Sequence, residues 1–388
     1  MHLPVLFAWR PFNISAYFIP YGGVDLFFAI SGYIITISLI NSLKANGSSI
    51  LILKVFWVKR IFRILPLAYL WTIIPIVLAL GFNSAGLFGS AHNLSRDGIA
   101  NVTQTANFHW QKCTDPQIAP LCGHGNNNQT VLGPYWSLSV EEQFYMLFPL
   151  LLLFLPRRWL ILALASIPIL LLFIDRRQHF FYVLRFDSIA VGVLIALAQT
   201  QHWYGQFYPK FLGKRGLGIM AVILGCLLIG AVPALSLVNF TQSMVVAVSA
   251  ALVFIASFNK NLFAGPYKKL HKFFLWMGDR SYAIYLIHIP AFILANEVYF
   301  RIRHGWDSSA KFTVPLLALV ILISLVEASA AAIERPLRKY GRSLANDISL
   351  KGKNETEAQA SNRDVAGQLH IGPLPDVAYY SFYDKNRD

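Results

Sequence analysis

Two adjacent carboxylates, Glu141 and Glu142, stand in PYWSLSVEEQFYMLFPLLL (134–152), directly ahead of an apolar run that ends near Leu155. An ionisable side chain entering hydrocarbon is costly unless the bundle interior receives it, so such residues point to function. Ser139 and Glu142 are three apart, the spacing of a capping box in which each side chain satisfies the other's free backbone N–H. Adjacent residues lie about 100° apart around a helix, so one cap cannot account for both acids. Glu142 has the better claim to the cap, and Glu141 is freer to face a site.

Five other constellations carry charge or a titratable ring at a span boundary or, for His288, near the middle of a span. In FWVKRIFRILPLAYL (56–70), Arg60 and Arg63 share one helical face. Planar multi-donor side chains can hold phosphates there, or can anchor the span by snorkelling to lipid headgroups. Asp25 follows a Gly-Gly turn at the start of a span and suits either an N-cap or a site. In RFDSIAVG (185–192), Arg185 and Asp187 are placed to pair with Asp25 or with the glutamates. In RSYAIYLIHIP (280–290), His288 shares a face with Tyr285 and is either a proton carrier or a hydrogen-bonded packing residue. Glu334 and Arg335 are expected to neutralise one another before Pro336 interrupts the helix.

The elements that must position these groups are membrane helices. The chain has 388 residues, 56% hydrophobic and 13% charged, and a mean hydropathy of +0.51, outside the balance of a soluble domain. Nine segments are long enough to cross the bilayer as helices, at 24–40, 66–82, 138–155, 159–174, 184–199, 216–233, 241–258, 280–296 and 313–333. The expected fold is therefore all-α, a polytopic membrane helix bundle. The net charge of +14 does not imply nucleic acid. Lys54, Lys59, Arg60, Arg63, Arg157, Arg158, Lys210, Lys214 and Arg215 fall on one side when spans alternate, and the positive-inside rule makes that side cytoplasmic. The polar loop 83–135 then faces out, with Cys113 and Cys122 placed for a disulfide in an oxidising compartment. A zinc site from His109, Cys113, Cys122 and His124 matches no familiar spacing, and no metal is expected. Residues 1–345 read as the membrane domain and 346–388 as a polar cytoplasmic tail without regular structure.

Taken together, GVDLFFAISGYIIT, RIFRILPLAY, PYWSLSVEEQFYMLFPLL, RFDSIAVGVLIA, SYAIYLIHIP and IERPLRKYGR resemble, in order and surroundings, the membrane acyltransferase family 3 over residues 21–342. The resemblance implies a stand-alone O-acyltransferase without an appended hydrolase-like domain, moving an acyl group, usually acetyl, from cytoplasmic acyl-CoA to a sugar hydroxyl of lipopolysaccharide, exopolysaccharide or a related glycan. It implies acyl-CoA as co-substrate with no permanently bound cofactor, a glycan acceptor and lipid as partners, and a bacterial inner membrane location. Arg60 and Arg63 match its RxxR element, associated with the CoA donor. Trp136, Ser139, Glu141, Glu142, Asp25, Arg185, Tyr285, His288 and Glu334 match positions typical of the family, with Asp25 and the two glutamates placed to serve the base or the sugar. The family has ten spans, and its first ends near a histidine thought to be catalytic. His2 falls at that place, while the basic residue that should precede it by eleven positions is missing. The expectation is an N-terminally shortened member. A glycan or acyl carrier, or an inactive fragment, is the alternative reading.

Overall fold

The computed structural model describes residues 22–44, 49–123, 130–172, 174, 183, 185–213, 216–235, 241–258 and 268–366, and among them the apolar runs and three more polar segments form twelve α-helices. They are α1 Gly23–Lys44, α2 Ser49–Gly81, α3 Ala91–Val102, α4 Ala106–Lys112, α5 Tyr135–Phe154, α6 Arg157–Leu172, α7 Phe186–Gln199, α8 Leu217–Leu235, α9 Thr241–Ser257, α10 Lys268–Arg303, α11 Ala310–Ser329 and α12 Arg335–Ala366. Among the described residues there is no β-strand. Helices cover all nine expected spans, and six stretches, the last running through α11 into α12, are long and apolar enough to cross a membrane. α7 and α9 are apolar but shorter, at 14 and 17 residues.

Three boundaries differ from the sequence expectation. The basic segment around Lys54–Arg63 is not a loop but the first half of α2, a helix of 33 residues. At about 1.5 Å per residue it is roughly 50 Å long, well beyond the ~30 Å of hydrocarbon, so its basic half can stand clear of the lipid. Pro336 does not end the last span. Residues 330–334 form a π-turn and the helix resumes at Arg335, the wider turn absorbing the missing N–H and the ring. The helix then passes residue 346, where composition alone began an irregular tail, and ends at Ala366.

Small residues set the tightest crossing. A Cβ on Gly32 of α1 would collide with the Ile189 carbonyl of α7, and one on Gly192 of α7 with the Ala29 carbonyl of α1. Two glycines therefore bring the backbones together reciprocally, the usual packing device where lipid supplies no hydrophobic drive. Side-chain bonds then tie α5, α10 and α11 to α2. Tyr135 and Tyr282 donate to the Ala68 and Ile64 carbonyls at 2.8 and 2.7 Å, Trp57 donates to the Tyr145 carbonyl at 3.1 Å, and Trp71 donates to Ser329 at 3.1 Å.

The polar loop between α2 and α5 folds into its own layer. Cys113 and Cys122 are disulfide-bonded, so those sulfurs are not thiolates that could hold zinc beside His109. Fully buried Asp97 accepts from the Gly123 N–H at 3.0 Å and lies 2.7 Å from His109 Nε2. His124 lies outside the described residues.

Candidate functional site

α5 is the axis of the site because its sequence puts different polar side chains on different faces. Ser137, Glu141 and Tyr145 are four apart and share one face. At its outer end, the Ser137 hydroxyl lies 2.5 Å from the Tyr285 hydroxyl, which also donates to the Pro134 carbonyl at 3.0 Å. One step deeper, Glu141 meets Ser31 of α1 and Tyr145. At the inner end, the guanidinium of Arg60 sits 5.0 Å from the centre of the Tyr145 ring, a cation–π contact.

Ser139 and Gln143 form a second face. Ser139 Oγ accepts from the Ala106 N–H at 3.1 Å, while the Gln143 amide donates to the Gln104 carbonyl and to Asn107 Oδ1, both at 2.9 Å. These bonds dock the outer layer on α5. They also overturn the capping box, since α5 begins at Tyr135 and Ser139 lies inside it. Glu142 consequently caps nothing, and it faces Glu141 and Arg60 instead.

The α1 neighbour of Glu141 is Ser31, six residues or about 9 Å further along that helix than Asp25. Glu141 and Glu142 are both nearly inaccessible, at 2% and 7%. One carboxylate oxygen of each is buried without a hydrogen-bond partner among the described residues. Buried polar atoms are normally satisfied, and a carboxylate pair left partly unsatisfied within a membrane bundle is a candidate for a reactive or ligand-binding position.

Asp25 belongs to a separate network near the start of α1. Its carboxylate accepts from Arg185, from Ser188 at 2.8 Å and from Gln242 at 2.9 Å, which joins α1 to α7 and α9. Asp25 is thus committed to tertiary contacts rather than to capping its own helix. The Arg185 guanidinium also lies 5.7 Å from the centre of the Trp136 ring, and Trp136 packs edge-on against Phe28 at 6.0 Å.

His288 Nδ1 lies 2.7 Å from the Tyr285 carbonyl of its own helix. A carbonyl only accepts, so Nδ1 carries a proton. Glu334 is buried in the π-turn, and its ion-pair partner is Arg338 at 3.7 Å, not the adjacent Arg335, which reaches Glu327 at 3.8 Å. Adjacent helical residues point about 100° apart, whereas residues four apart meet. His2 lies outside the described residues.

Arg60 and Arg63 open into a cleft of about 580 Å³ between α1, α2 and α12, which Lys59, Arg338 and Arg342 also line. Among the described residues no acidic side chain lines it. The cations of α12 and the Ser137–Glu141–Tyr145 face were missed by sequence reasoning, although their spacing of four was a readable signal.

A family model described as an acyltransferase domain matches residues 1–332. The peptidoglycan O-acetyltransferase OatA of Listeria monocytogenes is 26% identical over 347 residues, covering 82% of this chain and 51% of that protein. The O-acetyltransferase OatA of Staphylococcus aureus is 26% identical over 344 residues, covering 82% and 53%. YrhL of Bacillus subtilis is 27% identical over 385 residues, covering 90% and 55%. The chain spans about half the length of the curated relatives it matches. No solved structure matches it.

Proposed function

This chain belongs to the acyltransferase 3 family, and on that premise we propose that it is a membrane O-acetyltransferase that moves an acetyl group from cytoplasmic acetyl-CoA to a hydroxyl of a cell-surface or exported glycan. The observation that carries this reading is the continuity of one polar face of α5, which runs from Tyr285 and Ser137 past the buried glutamates to Arg60 at the cationic cleft. A donor with several phosphates suits the cleft because guanidinium groups bind phosphate with parallel charge-assisted hydrogen bonds. With the phosphates held there, the thioester enters the bundle toward Glu141 and Glu142.

The acceptor oxygen then bonds to the thioester carbonyl carbon, the C–S bond breaks, and the CoA sulfur leaves, taking up the proton the hydroxyl has lost. The family pattern gives that proton transfer to His2, and base catalysis of this kind contributes about 10²–10⁴-fold. Glu141 and Glu142 orient the base or the sugar, as a carboxylate orients an imidazole in other acyl-transfer sites. The excess of Lys and Arg favours the cytoplasmic side for the cleft, and a disulfide-bonded layer suits the oxidising side of a bacterial cytoplasmic membrane. The relatives named as peptidoglycan O-acetyltransferases favour a peptidoglycan-type acceptor.

Membranes containing the full chain, given radiolabelled acetyl-CoA and the host's glycan, are expected to yield alkali-labile label on the glycan, and Arg60→Gln is expected to lose it. Passage of unmodified glycan across the bilayer with no label transferred would replace the enzyme with a carrier.

A further inference from the structure

The α12 wall of the cleft has no part in the reading above. Arg338, Arg342, Asn346 and Ser349 follow one another at four, four and three residues, so they share one helical face, and all four line the cleft. Arg338 and Arg342 fall within the IERPLRKYGR stretch, just past residue 332, where the match to the family model ends.

Its position is built in independently. A Cβ on Gly341 would collide with Phe62 of α2, and a Cβ on Gly352 would stand 2.6 Å from Leu51 Cδ2. Residues 341 to 352 and 62 to 51 are the same distance apart in opposite senses, so α12 lies antiparallel along the basic half of α2. Tyr340 packs edge-on against Phe62 at 5.2 Å and fixes the register. Two glycines therefore allow a close approach that sets the α12 arginines opposite Lys59, Arg60 and Arg63.

Five like charges around one cleft repel each other unless an anion lies between them. Glu334, 3.7 Å from Arg338, offsets one of the five. Lys59, Arg60, Arg63 and Arg342 make no ion pair among the described residues. The two walls are separate helices lining one cleft, and a ligand with phosphate groups at more than one place can engage both.

We propose that Arg338 and Arg342 are binding residues for the acyl donor, and that the α2 and α12 walls together clamp a ligand with two separated phosphate groups, as coenzyme A has in its diphosphate and its 3′-phosphate. This rests on the reading of the cleft as the donor site. An anionic lipid headgroup offers the same phosphate chemistry, and the test separates the two sources.

Purified full-length protein in detergent is titrated calorimetrically with coenzyme A, with dephospho-coenzyme A lacking the 3′-phosphate, and with short-chain phosphatidylglycerol. Arg338→Gln and Arg342→Gln are each expected to weaken coenzyme A binding by about tenfold or more, as for charge-assisted bonds. At least one of them is expected to weaken dephospho-coenzyme A by much less. Arg342→Lys, which keeps the charge and loses the fork, is expected to fall in between, with an unchanged melting midpoint excluding misfolding. If Arg60→Gln and Arg63→Gln weaken coenzyme A while the α12 variants stay within about twofold, the inference is overturned and the donor-site reading stands. If none of the four matters, the donor-site reading fails and takes the inference with it. Loss of phosphatidylglycerol binding alone in the α12 variants makes that wall a headgroup site and also overturns the inference.

Discussion

Replacing Arg185 by Gln removes the cation from a place where its side chain and that of Asp25 are both fully buried. Asp25 would keep its bonds from Ser188 and Gln242, but it also senses the charge of Asp187, and the arginine that balanced the two acids would be gone. Deleting one partner of a buried pair costs about 3–5 kcal/mol, because the remaining charge is left uncompensated. The two single variants differ in what they leave behind. Asp25→Asn leaves Arg185 beside Asp187 and belongs near ~3 kcal/mol, whereas Arg185→Gln leaves two like charges and belongs near ~5 kcal/mol. At about 2 °C per kcal/mol for a large chain, the melting midpoints fall by roughly 6 and 10 °C. The double variant carries neither charge, so its loss should be smaller than the sum of the singles by about 2 kcal/mol or more. Tryptophan-fluorescence melting of the four purified proteins in one detergent, at one pH and salt, measures this directly. Losses below about 1 kcal/mol that simply add, or an Asp25→Asn variant weaker than Arg185→Gln, would refute the argument that this pair is dry and shared among three charges.

Four further outcomes follow from the geometry. Glu141→Gln and Glu142→Gln are expected to cut acetyl transfer by about 10²-fold or more while coenzyme A binding stays within about twofold; equal losses in both measurements would make these residues part of the donor site. Gly192→Val drives a side chain into the Ala29 carbonyl and should destabilise by about 1–3 kcal/mol, a drop in melting midpoint that Gly205→Ala, with open space around it, should not share. Reducing Cys113–Cys122, which closes a loop of nine-residue separation, should loosen the outer layer by up to about 3 kcal/mol, read as faster hydrogen exchange in 91–123 with α1 and α7 unchanged. Asp307 accepts from Ser309, Tyr299 and Arg303, and these bonds hold its carboxyl well below the ordinary value of 3.8. The turn therefore has its full support above about pH 4 and loses it as pH falls through the lowered value. Trp306, stacked on Tyr299 at 6.1 Å, reports the loss, and Asp307→Asn should show the acid-form emission at neutral pH.

Hydrophobic run length by itself determined that this chain is a helical membrane bundle, because ~20 apolar residues in sequence can satisfy their backbone in lipid only as a helix. Residue type determined much of the rest. A buried aspartate needs a cation, so the pairing of Asp25 with Arg185 was among the options legible from charge alone. The sequence misplaced what depends on where a helix starts and what lies opposite it. α5 begins at Tyr135, before the Ser139–Glu142 pair, so a sound local pattern for a cap became a docking face and a buried acid. A proline that should have stopped the chain was absorbed by a π-turn, and the continued helix brought Arg338 and Arg342 across from Arg60 and Arg63. Some 275 residues separate those two arginine pairs, and local spacing carries no information about partners that distant. Only the packing of Gly341 on Phe62 and Gly352 on Leu51 makes four arginines and a lysine one site.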